Sequence, residues 1–320
     1  MELILHVGLK KTATSSIQEA LGALKPHLAA AGLCLPGTSV DHQRLARSLV
    51  AGGPGNAWAD RVAEATLDAL AAEAREAGLG RVLISSEHLI SAPARALWRL
   101  RDMLEERFPE VRSVKVLCYL REPVSFAASM CQQDLKNGRL RLAEFEAAPW
   151  PFPWADWLGT QIAVFEHAAV AVRLFDPAHL RDGDVISDML QAVGVPQLRP
   201  VVTVPRRNVS LSREGVQVAE ALAALRPHAQ RERSLRGRYK RLLLAIKGPR
   251  FVLPPEVQER VIALAERDLA YVREVFGLTL APRRQPWMPG GLSPKEAQEI
   301  AERIVATVEA EGGAGGPAAD

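Results

Sequence analysis

At 320 residues the chain is long enough for one large α/β core or two small ones, and one domain is the simpler expectation. Apolar residues make up 48% of it and charged residues 24%, which excludes disorder over most of its length. The net charge of +3 comes with scattered arginines, which excludes an extended nucleic-acid surface and leaves room for a local anion site.

The chain opens on Leu3-Ile4-Leu5-His6-Val7, a buried strand in pattern and too short before the following lysines to be the apolar core of a secretion signal. A polar turn over 8–13 comes next, then a helix from Thr14 with Ile17, Ala20, Leu21 and Leu24 at helical spacing. Residues 57–77 read as an amphipathic helix ending near Gly78 and Gly80, Val82-Leu83-Ile84 as a second strand, 93–107 as a helix and 114–120 as a third strand. Pro123 suits the first turn of the helix after it. Strands separated by helices of this length predict an α/β fold, a P-loop-like parallel sheet flanked by helices on both faces, with ligands at the carboxyl ends of its strands.

Beyond 137 the pattern becomes largely helical, with an aromatic and Pro-rich stretch at 150–154, one more strand at 170–174, and helices over 184–193, 210–225, 255–275 and 293–311. Residues 1–285 are expected to form a single α/β domain, 286–311 a turn and helix, and 312–320 a disordered tail. Cys34, Cys118 and Cys131 lack disulfide or zinc spacing and read as reduced core thiols. With no apolar run of about 18 residues to span a bilayer, they point to a cytoplasmic protein. The histidines at 6, 27, 42, 167, 179 and 228 show no ligand spacing and read as scattered core or surface residues, so no metal is expected.

Three segments carry chemistry. Lys10-Lys11-Thr12-Ala13-Thr14-Ser15-Ser16 joins the first strand to its helix, where unpaired amides and the positive dipole end stabilise an anion and Lys11 adds a full charge. Helix capping alone, by Thr14 or Ser15 with Gln18 or Glu19, leaves both lysines without a role. A P-loop ATPase needs GxxxxGK[ST], whereas Ala13 stands at the inner glycine and no Gly-Lys pair follows. The second segment sets Arg121 at a strand end and Ser129 eight residues later, a guanidinium and a hydroxyl between which a phosphate dianion fits. Its plainer reading is a surface ion pair of Arg121 with Glu122. The third is Ser85-Ser86-Glu87-His88 after the second strand, either a general base or a helix cap.

Lys11-Thr12-Ala13-Thr14-Ser15-Ser16-Ile17-Gln18 resembles the 5′-phosphosulfate loop of sulfotransferases that use 3′-phosphoadenosine 5′-phosphosulfate (PAPS), one form of which is KTGTTSIQ. Arg121 and Ser129, spaced after an Arg-Glu-Pro turn, resemble their 3′-phosphate site, and the whole is most similar to the bacterial, carbohydrate-type members. The resemblance covers about the first 130 residues well and the rest in outline. It implies sulfuryl transfer from PAPS, as co-substrate, to a hydroxyl or amine of a carbohydrate or small-molecule acceptor without a metal. Lys11 would stabilise the leaving phosphate while Thr12, Ala13, Thr14, Ser15 and Ser16 cradle it, and Arg121 and Ser129 would hold the 3′-phosphate. The base would be Glu87, as in the carbohydrate class, or His88, in the manner of the small-molecule class. Arg207 and Asn208 would close over the nucleotide. Ala13 departs from the usual glycine; its Cβ excludes positive φ at low cost, so binding is expected to survive only with an αR or β backbone there. A nucleotide kinase using Mg-ATP and a non-catalytic nucleotide-binding module are the alternatives.

Overall fold

The computed structural model describes residues 1–202, 210–226 and 235–313. In chain order the elements are β1 (Glu2–His6), α1 (Thr14–Ala23), α2 (Lys25–Ala30), β2 (Leu33–Cys34), α3 (Gln43–Ala51), α4 (Ala57–Ala77), β3 (Arg81–Ser85), α5 (Ala94–Arg107) and β4 (Ser113–Leu120). They continue with α6 (Pro123–Lys136), α7 (Leu142–Ala147), α8 (Trp154–Phe165), β5 (Val170–Leu174), α9 (Val185–Ala192), α10 (Arg213–Leu225), α11 (Arg236–Ala245), α12 (Pro255–Phe276) and α13 (Pro294–Gly313). Contacts group them into two units, the first made of 1–121, 153–206 and 267–280, the second of 122–152, 207–266 and 281–320.

The first unit holds a five-stranded sheet in the order β2-β3-β1-β4-β5, every pair parallel, as the alternation of strands and helices predicts. β1 is central, and both of its faces are dry: Leu3 and Leu5 point one way and Ile4 and His6 the other, all at 0–1% exposure. Burying each of these aliphatic side chains is worth about 2 kcal/mol, so the central strand is also the strongest anchor of the sheet. One face packs Ile4, Leu83, Leu117 and Tyr119 against α1 and α9 through Ile17, Leu21, Met189 and Leu190. On the other, Val82, Ile84, Val116 and Cys118 are as fully buried, and α8 touches β4 and β5 there.

A polar cluster is buried against the α1–α9 face. Asp188 of α9, 1% exposed, accepts from Tyr119 Oη at 2.7 Å, from the Arg173 guanidinium through both oxygens, and from the Arg181 N–H at 3.0 Å. Burial alone would raise its carboxyl pKa, but the bonds from Arg173 and Tyr119 outweigh it and hold the group below the usual carboxylate range. β4, β5 and α9 are tied together through this carboxylate.

The second unit is helical. Val124, Ala127, Ala128, Cys131 and Leu135 on α6, Val216, Ala219 and Leu222 on α10, and Ala301, Ile304 and Val308 on α13 are buried at helical spacing. Ser212 caps α10 by accepting from the Gly215 N–H at 2.9 Å, and Gln132 of α6 accepts from Leu211 N at 2.9 Å. α13 runs on to Gly313, and the remaining tail, 314–320, lies outside the described residues.

All three cysteines are free and buried, and burial pushes the Cys118 thiol up to about 12, as unreactive core thiols require. Phe152 and Trp154 of the aromatic stretch are buried core side chains. Among the described residues no helix is long and apolar enough to cross a membrane. Nor do three His, Cys, Asp or Glu side chains meet there as a metal site.

Candidate active site

The strand order places a switch point between β1 and β4. The chain leaves β1 toward β2 and β3 on one side, and leaves β4 toward β5 on the other, so a crevice opens at their carboxyl ends. The loop after β1 and Arg121 after β4 are the segments that border it. They meet: Arg121 Nη1 donates to the Lys11 carbonyl at 3.0 Å, across 110 residues of sequence. The guanidinium also lies over the Phe175 ring, 5.8 Å from its centroid.

The loop itself is tightly wound. Gly8, Lys11 and Ala13 all have positive φ, at 54°, 67° and 61°. The αR or β backbone that a Cβ predicts at Ala13 is therefore not adopted; the residue is left-handed, ψ 23°, as a glycine there would be. Two buried hydroxyls hold the turn in place, Thr12 Oγ1 donating to Leu9 O at 2.5 Å and Thr14 Oγ1 to the same carbonyl at 3.3 Å. Left-handed non-glycine residues cost about 1 kcal/mol or more each, so Lys11 and Ala13 are held against an intrinsic preference. A left-handed residue followed by the helical Thr14 turns successive N–H groups toward one concave side, an arrangement that receives anions.

The capping reading fails on the same geometry. Ala13 is the N-cap of α1, and no side chain caps the helix, so its first amides keep their pull on an anion. Thr12 and Thr14 spend their hydroxyl protons on Leu9, whereas Ser15 is exposed and Ser16 half-buried. Lys11 is half-buried and Lys10 exposed.

Glu87 reaches the same place from β3. Gly8 shows how closely: a Cβ there would stand 3.2 Å from Thr14 Oγ1, 3.3 Å from Glu87 Cα and 3.4 Å from Glu87 Cβ, so only a glycine lets the three segments converge. Ser86-Glu87-His88 forms a turn, with Leu89 N donating to Ser86 O at 3.3 Å, and the next helix, α5, starts only at Ala94 with Pro93 before it. Helix capping by Ser86 or Glu87 is thereby excluded.

His88 is flanked by Arg47, whose Nη2 is 3.5 Å from its Nε2. Burial lowers its pKa, and Arg47 and Lys10 lower it further against the pull of Glu87 and Asp41, so the imidazole is neutral and able to take a proton.

Beneath the turn lies a layer that the sequence does not disclose. His6 Nδ1 meets Ser85 Oγ at 2.9 Å, and Gln18 Nε2 of α1 donates to the same hydroxyl at 3.2 Å. Burial takes the His6 pKa down to about 4. His42 accepts from Ser85 N through Nδ1 at 3.0 Å and donates through Nε2 to Pro36 O at 2.8 Å, and its pKa is likewise lowered, by burial. Histidines that read as scattered are thus the supports of the Glu87–His88 turn. Arg47 went unnoticed, and Gln18 and His42 read as a capping residue and a scattered histidine, because isolated polar residues on helices and loops carry no spacing signal.

Ser129 belongs to the second unit, half-buried on α6 among the positions not turned into that unit's core. Glu122, 9% exposed, caps that helix by accepting from Val124 N at 3.0 Å and Ser125 N at 2.6 Å, and also accepts from Arg283 N at 3.2 Å. Glu122 is therefore a buried helix cap and not a surface carboxylate. Arg207 and Asn208 lie outside the described residues.

No family model and no curated protein matches the chain. Among solved structures it is similar to a sulfotransferase from Alicyclobacillus acidocaldarius, at 16% identity and a TM-score of 0.44, over 87% of this chain and 96% of that one.

Proposed function

We propose that this chain is a sulfotransferase that moves a sulfuryl group from PAPS to a hydroxyl or amine of a carbohydrate or small-molecule acceptor. The observation that carries the reading is the contact of Arg121 with the Lys11 carbonyl at the switch point, because it brings two phosphate-type motifs from distant sequence to one crevice. The nucleotide has two separated phosphate groups and needs two separated cations. Lys11 takes the bridging oxygen and the leaving 5′-phosphate, with the amides of Ala13 to Ser16 around it. Arg121 takes the 3′-phosphate, with Ser129 the partner that the spacing assigns to it, and Arg207 and Asn208 close over the nucleotide.

In this reading the acceptor oxygen attacks sulfur in line, the bond from sulfur to the 5′-phosphate oxygen breaks, and the acceptor proton passes to Glu87 or His88. Charge grows on the leaving phosphate, and in this reading the Lys11 ammonium and the loop amides stabilise it. Glu87 is the first choice of base because it packs against Gly8 and the loop, and His88 is neutral and next in line. The product is 3′-phosphoadenosine 5′-phosphate (PAP).

Calorimetric titration with PAP tests the assignment. PAP should bind in the micromolar range, and both Lys11→Ala and Arg121→Ala should weaken it at least about tenfold, the loss of one charge-assisted contact. Unchanged affinity in both variants, or thermal stabilisation by Mg-ATP with none by PAP, would overturn it. With PAPS and an acceptor that turns over, Glu87→Gln and His88→Gln then separate the two bases by which one abolishes kcat.

A further inference from the structure

We propose that the open groove between α3 and α4 is an acceptor subsite, and that it takes an acidic oligosaccharide chain. The inference rests on the sulfotransferase reading above and names the acceptor class for it. The groove has a volume of about 440 Å³ and is lined by Gln43, Arg44, Arg47, Asn56 and Trp58 among others. A larger depression of about 750 Å³ between α8 and α12 is lined by none of the loop or turn residues of the candidate active site. The α3–α4 groove, by contrast, is joined to that site by Arg47, whose guanidinium lies 3.5 Å from His88 Nε2.

Arginines on this flank fall into two kinds. Arg95 donates to the carbonyls of Gly52 and Val50, and Arg99 is paired with Asp60 and Glu64. Arg44 and Arg47, three residues apart on one face of α3, are exposed and form no ion pair among the described residues. Two such guanidiniums in a row are donors spaced for carboxylates along a chain. Opposite them Trp58, 67% exposed, offers an indole face on which a sugar ring can lie. Asn56 holds it there: its side chain accepts from Ala59 N at 3.3 Å to cap α4 and donates to Ala51 O at 3.0 Å, fixing the turn out of α3. A hydroxyl-rich chain laid from Trp58 past Arg44 and Arg47 ends at the Glu87–His88 turn, where a hydroxyl must lose its proton.

The test titrates the full chain with three probes of equal length: unsulfated chondroitin hexasaccharide, the neutral N-acetylglucosamine hexamer and hexathymidylate. The acidic hexasaccharide should bind about tenfold more tightly than the neutral one at low salt, with the preference shrinking as salt is added. Arg44→Ser and Trp58→Ala, both changes at exposed side chains, should each weaken it about tenfold while keeping the wild-type Tm. Equal binding of the acidic and neutral hexamers, no binding of either, or full affinity in both variants would overturn the subsite. So would tighter binding of hexathymidylate, which would make the groove a nucleic-acid surface. PAP titrated into the unmodified chain separates the two levels: PAP binding without hexasaccharide binding removes the groove alone, and absence of PAP binding removes the enzymatic reading.

Discussion

Two arginines at neighbouring strand ends, Arg173 in β5 and Arg121 just past β4, reach different kinds of partner. Arg173 is matched by a carboxylate: Asp188 is buried, takes both of its forks and is shared with Tyr119. Arg121 spends one N–H on a neutral carbonyl, that of Lys11, in a loop that already carries two lysines. The first arrangement is a clamp on the sheet. The second brings basic residues together where β1 and β4 diverge, which is what the phosphate site proposed above needs.

Four measurements break or sharpen that contrast. The largest effect belongs to the clamp: Asp188→Ala strands Arg173 and the Tyr119 hydroxyl and should cost about 4 kcal/mol in urea unfolding. A loss below about 1 kcal/mol would remove the distinction. Acidification comes next. His6 titrates at about 4 in the folded chain against about 6.5 when unfolded, so between those values the unfolded chain binds the extra proton. The stability it contributes is complete above pH 6.5 and is lost as pH falls, by about 3 kcal/mol once below pH 4. His6→Gln should flatten that part of the pH profile.

Arg121→Ala should show the reverse of the clamp, with PAP affinity falling by about 2 kcal/mol and unfolding free energy changing by about 1 kcal/mol or less. A variant that unfolds like Asp188→Ala would place Arg121 with the structural arginines. The smallest change is Ala13→Gly. It removes a Cβ from a backbone that is already left-handed without ligand, so it should raise the unfolding free energy by about 1 kcal/mol and leave the PAP Kd within about twofold. A lower unfolding free energy would mean that the loop gains more from the stiffness of alanine than it loses to strain.

Long periodic elements were legible in the sequence. β1, β3, β4 and β5, and the helices at 57–77 and 255–276, fall within a residue or two of where their apolar spacing puts them. β2 is two residues, Leu33 and Cys34, too short for any period. The site was legible as residue types and not as geometry. Lys11, Arg121 and Glu87 could be singled out because they follow strands that a parallel sheet aligns. The left-handed Ala13 could not, since the two hydroxyls that hold the turn act through the Leu9 carbonyl and leave no mark in composition. Glu122 shows the same limit, because a carboxylate beside an arginine looks like an ion pair until the N–H groups it caps are in place.

The position of β1 has a consequence for how the chain is made. Its partners are Arg81–Ser85 and Ser113–Leu117, both later in the chain, so the innermost strand of the sheet has neither sheet neighbour until both have followed it. At ribosomal speeds that interval is on the order of ten seconds, during which Leu3, Ile4 and Leu5 and an unpaired backbone edge stay available to other chains. Expression yield should therefore depend on nascent-chain chaperones that shield the β1 segment, and slow codons shortly after Leu120 should favour soluble product.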